Sequence, residues 1–379
     1  MRPLRHCLSN RGRPVSKDGE TAWVALSLVR GVGNVTYRRL LERFQDPDGV
    51  FVAGARALLE AGVHPEVADA IVNFRRWEEA ERYVSRARRV GGSLLHWNDS
   101  RYPRLLREVH DAPPFLFVRG DPGDGDELCV AVVGSRVPSV YGRGRARALC
   151  TQLARVGVTV VSGLARGIDG EAHRATLDAG GRTVAVLGCG IDVVYPPEHA
   201  RLFRRIVENG AVLSELLPGV GPEAGHFPRR NRLLAGMTVG TVVVEAGEHS
   251  GSLITARWAA DQGREVFAVP GPIGPLSRGP HRLIRQGAKL TETAADILEE
   301  IAPSRLRTAS REERRRDRPE FEDRLLRCLQ GGPHHIDALC AKMGAPVGTI
   351  LEALLGLELE GAVVQYPGKY FALSGSEPD

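Results

Sequence analysis

TVAVLG (183–188) is apolar from end to end and stops at a glycine, and five further runs follow much the same plan: LCVAVVG (128–134), VTVVSG (158–163), AVLSEL (211–216), TVVVEA (241–246) and EVFAVPG (265–271). A strand with one face in water alternates apolar and polar residues, whereas an uninterrupted apolar run is what a strand covered on both faces requires. Helical stretches such as GRARALCTQLARVG and AHRATLDAGG separate several of the runs. The fold class predicted is therefore α/β, with a doubly wound, mostly parallel sheet.

Upstream of the sheet the period changes. WVALSLVR (23–30) has apolar residues at helical spacing and ends at Gly31-Val32-Gly33, after which NVTYRRLLERF resumes with Val35, Leu40, Leu41 and Phe44 inward. ALLEAGVHPEVADAIVNF (57–74) repeats the layout with Gly62 and Pro65 in the turn, and the charged helix RRWEEAERYVSRARRV follows. Two readings of the Gly-x-Gly turn stand side by side: amides that approach a DNA phosphate, as in helix-hairpin-helix modules, or a packing turn between helices. Downstream, FEDRLLRCLQ, HHIDALCAKMG and VGTILEALLGLELEG read as three helices, and AVVQYP with GKYFAL as a hairpin turning at Pro367-Gly368, which together make a winged helix. The domain plan is a basic arm (1–20), a helical-hairpin domain (21–88), the extended α/β domain (89–302), an Arg-rich linker (303–319), the winged helix (320–373) and a tail (374–379).

With 379 residues, 42% of them hydrophobic and 26% charged, the chain is neither a disulfide mini-protein nor disordered throughout. No stretch approaches 18 uncharged apolar residues and the first twenty hold no apolar core, so a soluble, cytoplasmic protein without a membrane partner is expected. Cys7, Cys129, Cys150, Cys189, Cys328 and Cys340 include no C-x-x-C pair and no His at ligand spacing; reduced thiols and no metal or cofactor are expected. The net charge of +5 is unevenly placed, with +4 in 303–319 and −3 in 320–373. Only Lys17, Lys289, Lys342 and Lys369 among the 51 basic residues are lysines. A G+C-rich genome accounts for that, as does the better fit of Arg to phosphates and bases.

Ligands of open α/β sheets bind outside the carboxyl ends of the strands, where helix N-termini attract anions. Those ends read Gly134-Ser135-Arg136, Ser162-Gly163-Leu164-Ala165-Arg166-Gly167, Gly188-Cys189-Gly190 and Gly247-Glu248-His249-Ser250-Gly251-Ser252. Glycine admits a phosphate close to the backbone and serine adds a donor, so the rim is expected to hold phosphates. None of the loops is G-x-G-x-x-G or a P-loop. Arg143, Arg145 and Arg147 follow the first loop, and HFPRRNRLLAG (226–236) groups Arg229, Arg230, Asn231 and Arg232 into a patch that could fork to phosphates and read a base edge. Phe227 could stack an unpaired base or serve as a core anchor.

Taken in order, GSR (134–136), Tyr141-Gly142, SGLARGID (162–169), Ala172-His173, TVAVLGCGID (183–192), Tyr195-Pro196, SELLPG (214–219), FPRRNR (227–232), VVEAGEHSGSLITA (243–256), GREVFAVPG (263–271) and LIRQGA (283–288) closely resemble the DNA-processing protein A (DprA/Smf) family, and RYPRLLREVHDAPPFLFVRGD (101–121) resembles its preceding segment. The resemblance implies a Rossmann-like central domain, a helical SAM-like domain before it, homodimerisation through the Rossmann-like domain, and binding of single-stranded DNA without catalysis. It also implies loading of the RecA recombinase in natural transformation and repair. Gly134, Ser135 and Arg136 match the family's phosphate-gripping motif, and Arg229, Arg230 and Asn231 its DNA-contact surface. His199 and His281 depart from the pattern, standing where Asn is usual.

An enzyme of the nucleotide-hydrolysing kind on a similar fold is the alternative. Its P-G-G-x-G-T-x-x-E loop is broken here to GMTVGTVVVEAG (236–247), although Glu215 and Glu245 could form a carboxylate pair at the strand ends. The helix that reads DNA in a winged helix normally offers Arg, Lys, Asn or Gln. PVGTILEALLGLELEG (346–361) offers no basic residue and three glutamates, Glu352, Glu358 and Glu360, so this domain is expected to bind protein.

Overall fold

A computed structural model describes residues 19–123, 128–304, 320–359 and 361–374. All but the last two residues of the basic arm, all but the first two residues of the Arg-rich linker, and all but the first residue of the tail lie outside the described residues. The chain divides after Ile301 into two compact units.

The first unit is built on one sheet of nine strands: β1 (Gly92–His96), β2 (Phe115–Gly120), β3 (Cys129–Val133), β4 (Thr159–Ser162), β5 (Thr183–Val186), β6 (Gly210–Ser214), β7 (Gly240–Val243), β8 (Glu265–Ala268) and β9 (Lys289–Leu290). Their order is β1-β2-β6-β5-β4-β3-β7-β8-β9. From β6 to β9 every neighbouring pair is parallel, while β1 and β2 add an antiparallel margin. The six apolar runs are β3–β8, and every residue of β3–β7 is buried, as two-sided cover demands. Each of the many buried valines contributes ~1.5–3 kcal/mol of apolar transfer. The runs overshoot the strands at their carboxyl ends, because Leu187, Val244, Ala246 and Val269 stay buried in the loops beyond. β1, β2 and β9 are additional to the strands read from sequence.

The strand order has one decisive consequence. From β3 the chain winds outward through β4, β5 and β6, then returns to the other side of β3 for β7, β8 and β9. The loops leaving β3 and β7 therefore part in opposite directions and open a crevice at their carboxyl ends.

The helical hairpins form as read, except that Val35, expected inward, is exposed, with helices Glu20–Ser27, Asn34–Phe44, Ala55–Glu60, Pro65–Val72 and Trp77–Arg89. An unread helix, Pro47–Val52, lies between the hairpins; Asp46 caps it by accepting from the Gly49 amide at 2.7 Å, and Pro47 starts it. Trp23, Tyr37, Leu40, Leu58 and Ile71 share one core with Phe115, Phe117, Phe203 and Val212 of the sheet and its helices. Gly31 has φ +86 and a Cβ there would sit 2.7 Å from Val67, so this glycine serves the turn; Gly33 faces open space.

The second unit has helices Glu320–Leu329, Ile336–Met343 and Val347–Leu359 with strands β10 (His334–His335), β11 (Val363–Tyr366) and β12 (Tyr370–Leu373) in the order β10-β12-β11. This is the winged helix, packed around Leu325, Leu329, Leu339, Ile350, Leu354 and Phe371. Among the described residues no single helix is long and apolar enough to cross a membrane.

Candidate nucleic-acid interface

The crevice between the β3 and β7 loops opens into a cavity of about 670 Å³. It gathers Gly134 and Arg136 from the β3 loop, Phe227, Arg230 and Asn231 from helix His226–Gly236, and Ser250, Gly251 and Ser252 from the start of helix Gly251–Asp261. Ser250 caps that last helix, accepting from the Ser252 amide at 3.4 Å, and the two hydroxyls lie 2.8 Å apart. The helix thus presents its N-terminal turn and the positive end of its dipole to the cavity.

Arg136 is exposed, and its guanidinium carbon sits 5.3 Å from the centre of the Phe227 ring. Phe227 is half-buried, its far side against Gly188, where a Cβ would come within 2.9 Å of the ring, and against Tyr195 at 5.8 Å. The ring is anchored against Gly188 and Tyr195, as a core anchor would be, and is covered by a cation. A base can exchange for that cover and keep a π face satisfied.

Arg230 differs from the expectation of a surface fork. It is 5% exposed and its guanidinium is engaged inside, donating to the carbonyls of Gly163 (2.6 Å) and Val186 and to Asn231 Oδ1 (3.2 Å). Burial pushes Arg230 down and the neighbouring Asp169 up, and each partly offsets the other. Asp169 accepts from the amides of Gly163 (3.1 Å) and Ala165 (3.4 Å). Arg230 thus lines the cavity floor as a fixed charge that pins the ends of β4 and β5. Asn231 bonds the Gly251 carbonyl at 3.2 Å and joins the two helices.

Other predicted contacts are elsewhere. Arg232 is 4% exposed and paired with Asp111 (3.2 Å) and Glu215, away from the cavity lining. Ser162 is fully buried, its hydroxyl donating to Val132 at 2.7 Å. Gly163 has both backbone groups engaged, and a Cβ would strike the Arg230 guanidinium at 2.2 Å, so an internal side chain, not a phosphate, requires this glycine. Arg166 pairs with Glu198 at 2.5 Å and borders a narrower cleft beside Phe227. Arg143, Arg145 and Arg147 bond Pro138, Glu292 and Glu171. Arg229 is exposed on the far flank of Pro228, in a second depression. Sequence reasoning missed Tyr195 and Asp169 as parts of the site; the need for a counter-ion beside a buried arginine was the available signal for Asp169.

The carboxylate pair of the enzyme alternative does not form. Glu215 follows β6 and Glu245 follows β7, and β5, β4 and β3 lie between them. Four strand spacings make roughly 19 Å, about twice the widest separation of working glycosidase carboxylates. Glu245 instead accepts from the Ser139 amide (2.9 Å) and hydroxyl (2.5 Å), and lies so close over Gly142 that a Cβ there would meet it at 2.2 Å. Among the described residues no group of three His, Cys, Asp or Glu is placed to hold a metal.

A sequence profile described as DNA recombination-mediator protein A matches residues 93–302, and one described as the DprA winged helix domain matches 309–369. Protein Smf of Escherichia coli K12 is 41% identical over 314 residues, covering 78% of this chain and 84% of its own. The chain belongs to the DNA recombination-mediator protein A family. Within that family, Protein Smf of Synechocystis is 32% identical across 93% of this chain and 98% of its own. The X-ray structure of DprA from Streptococcus pneumoniae is similar at TM-score 0.65 and 36% identity, covering 74% of this chain and 97% of that one. DNA processing protein A of Helicobacter pylori, described for its unique single-stranded DNA binding mode, is similar at TM-score 0.51 and 27% identity, covering 56% of this chain and 96% of that one.

Proposed function

We infer that this protein binds single-stranded DNA in the switch-point crevice, and that as a homodimer through its Rossmann-like domain it delivers the strand to the RecA recombinase in the cytoplasm, in natural transformation and DNA repair. The observation that carries the reading is Arg136: an exposed guanidinium stacked on Phe227, facing a helix N-terminus across a cavity of about 670 Å³. A phosphate between Arg136 and the Ser250-Gly251-Ser252 turn meets a charge-assisted donor on one side and the Gly251 amide at the positive end of a helix on the other. The adjoining base can take the face of Phe227, which an unpaired base can reach and a base stacked inside duplex cannot. Gripping a few phosphates leaves the remaining bases free for the recombinase.

The test is binding of a labelled oligothymidine and its duplex over a series of salt concentrations. Single strand should bind more tightly, and Arg136→Ala should reduce the magnitude of the log–log salt slope by ~0.7, the share of one phosphate. Equal affinity for both forms, or an unchanged slope, overturns the reading. Incubation with nucleoside monophosphates checks the alternative; base released by the parent and lost in Glu245→Gln is the result that favours an enzyme.

A further inference from the structure

Beside the rim cavity lies a second depression of about 880 Å³, and Pro228 and Ile254 border both. The two therefore form one groove with a low saddle between them. The far wall is the Gly33-Asn34-Val35-Thr36 turn of the first helical hairpin. Asn34 ties that wall down by donating to the Asp111 carbonyl at 2.9 Å, and Arg232 donates to the same carbonyl at 3.1 Å, so hairpin and sheet flank the groove as one body.

The surface of this depression suits unpaired nucleotides. Val35 and Ile254 are 39% and 40% exposed, and the Trp258 indole is half-buried beside them, an apolar floor open to solvent. Arg229 stands on the wall, exposed and without an ion-pair or hydrogen-bond partner among the described residues. Of the acidic groups here, Asp111 and Glu215 pair with the Arg232 guanidinium, and Arg229 acts on Glu215 only through its charge, without an ion-pair contact among the described residues. An apolar, partly aromatic floor beside an exposed guanidinium is the combination that single strands use without reading sequence.

We propose that the strand held at the rim continues over the Pro228–Ile254 saddle into this groove, where a base lies on Trp258 and the next phosphate meets Arg229, making the first helical hairpin part of the DNA-binding surface. The proposal rests on the rim reading and assigns the hairpin turn to DNA rather than to packing alone.

The experiment compares the full-length protein with Trp258→Ala on oligothymidines of about 4 and about 16 nucleotides, the span of known single-strand sites. The longer strand should lose about tenfold in affinity, the size of one lost base–aromatic stack, and the short one should bind as before. Equal loss at both lengths, or loss at neither, overturns the proposal. Photo-crosslinking on the unaltered protein avoids any folding defect. A 16-mer with a photoreactive thymine analogue should give adducts at residues 33–36 or at Trp258, and adducts confined to 134–136 and 250–252 overturn it. Arg136→Ala separates the two readings: it should weaken both lengths, and if it weakens neither, the rim fails and the extension falls with it.

Discussion

The switch-point crevice and the winged helix are opposite solutions to presenting a helix at a surface. At the crevice, helix His226–Gly236 buries Arg230 and Arg232 and leaves Arg229 outside, so charge is found both under the floor and above it. In the winged helix, Val347–Leu359 is turned the other way round. Val347, Leu351 and Leu355, at i, i+4 and i+8, are 50%, 40% and 58% exposed; Glu358 falls on the same face and the exposed Glu352 beside it. The first surface suits a polyanion, and the second repels one while offering an apolar stripe. Sharing a chain with a unit proposed to bind DNA, and having a fold often used for DNA, does not make a helix a DNA reader; its outward side chains decide.

The largest expected effect breaks the crevice from below. Arg230→Ala removes the partner of two strand-end carbonyls and leaves Asp169 buried, and should cost ~3–5 kcal/mol in a urea melt. An unchanged midpoint would mean that the floor charge is not structural. Acid comes next, acting on the first unit. His173 is fully buried; its Nδ1–H donates to Thr183 Oγ1 at 2.7 Å, whose own proton goes to Val160, and burial first, then nearby cations, push its pKa down from 6.5 to about 3. It is therefore neutral when folded and protonated when unfolded between those values. Its contribution is complete above pH 6.5 and is lost as pH falls, at ~1.4 kcal/mol per pH unit. Melts followed from pH 6.5 downward should show this loss in the first unit, and His173→Asn should flatten its slope. Arg136→Ala comes third, with single-strand affinity reduced about tenfold and stability within ~0.5 kcal/mol of the parent. The smallest effect expected is none: a fragment of residues 320–379, which buries its own core, should not shift duplex DNA, and a clear shift would erase the contrast.

The sheet was legible because burial on both faces leaves an uninterrupted apolar run, and no other element of that length needs one. β1 and β2 were not, since GSLLH is too short to show a period and FLFVRG sits among turn residues. Pro47–Val52 was hidden because Asp46-Pro47-Asp48-Gly49 reads as a turn, while the same Asp and Pro also start a helix. In the site, Arg136 was legible from its place at a strand end. Arg229 and Arg230 were not separable, because a helix rotates by about 100° per residue and adjacent letters can face solvent and core. Gly163 reads as a ligand glycine and Gly142 only as part of a family motif, but the contacts that demand them are to Arg230 and Glu245, far along the chain. A local sequence window carries no trace of them.

The double anchorage of the Arg230 guanidinium on Gly163 and Val186 has a kinetic corollary. A floor already held by its own framework asks only the Arg136 side chain to move when a guest arrives, so capture should proceed near the pace of encounter. Raising ionic strength should then act chiefly by slowing arrival, and the time a captured strand remains seated should change far less.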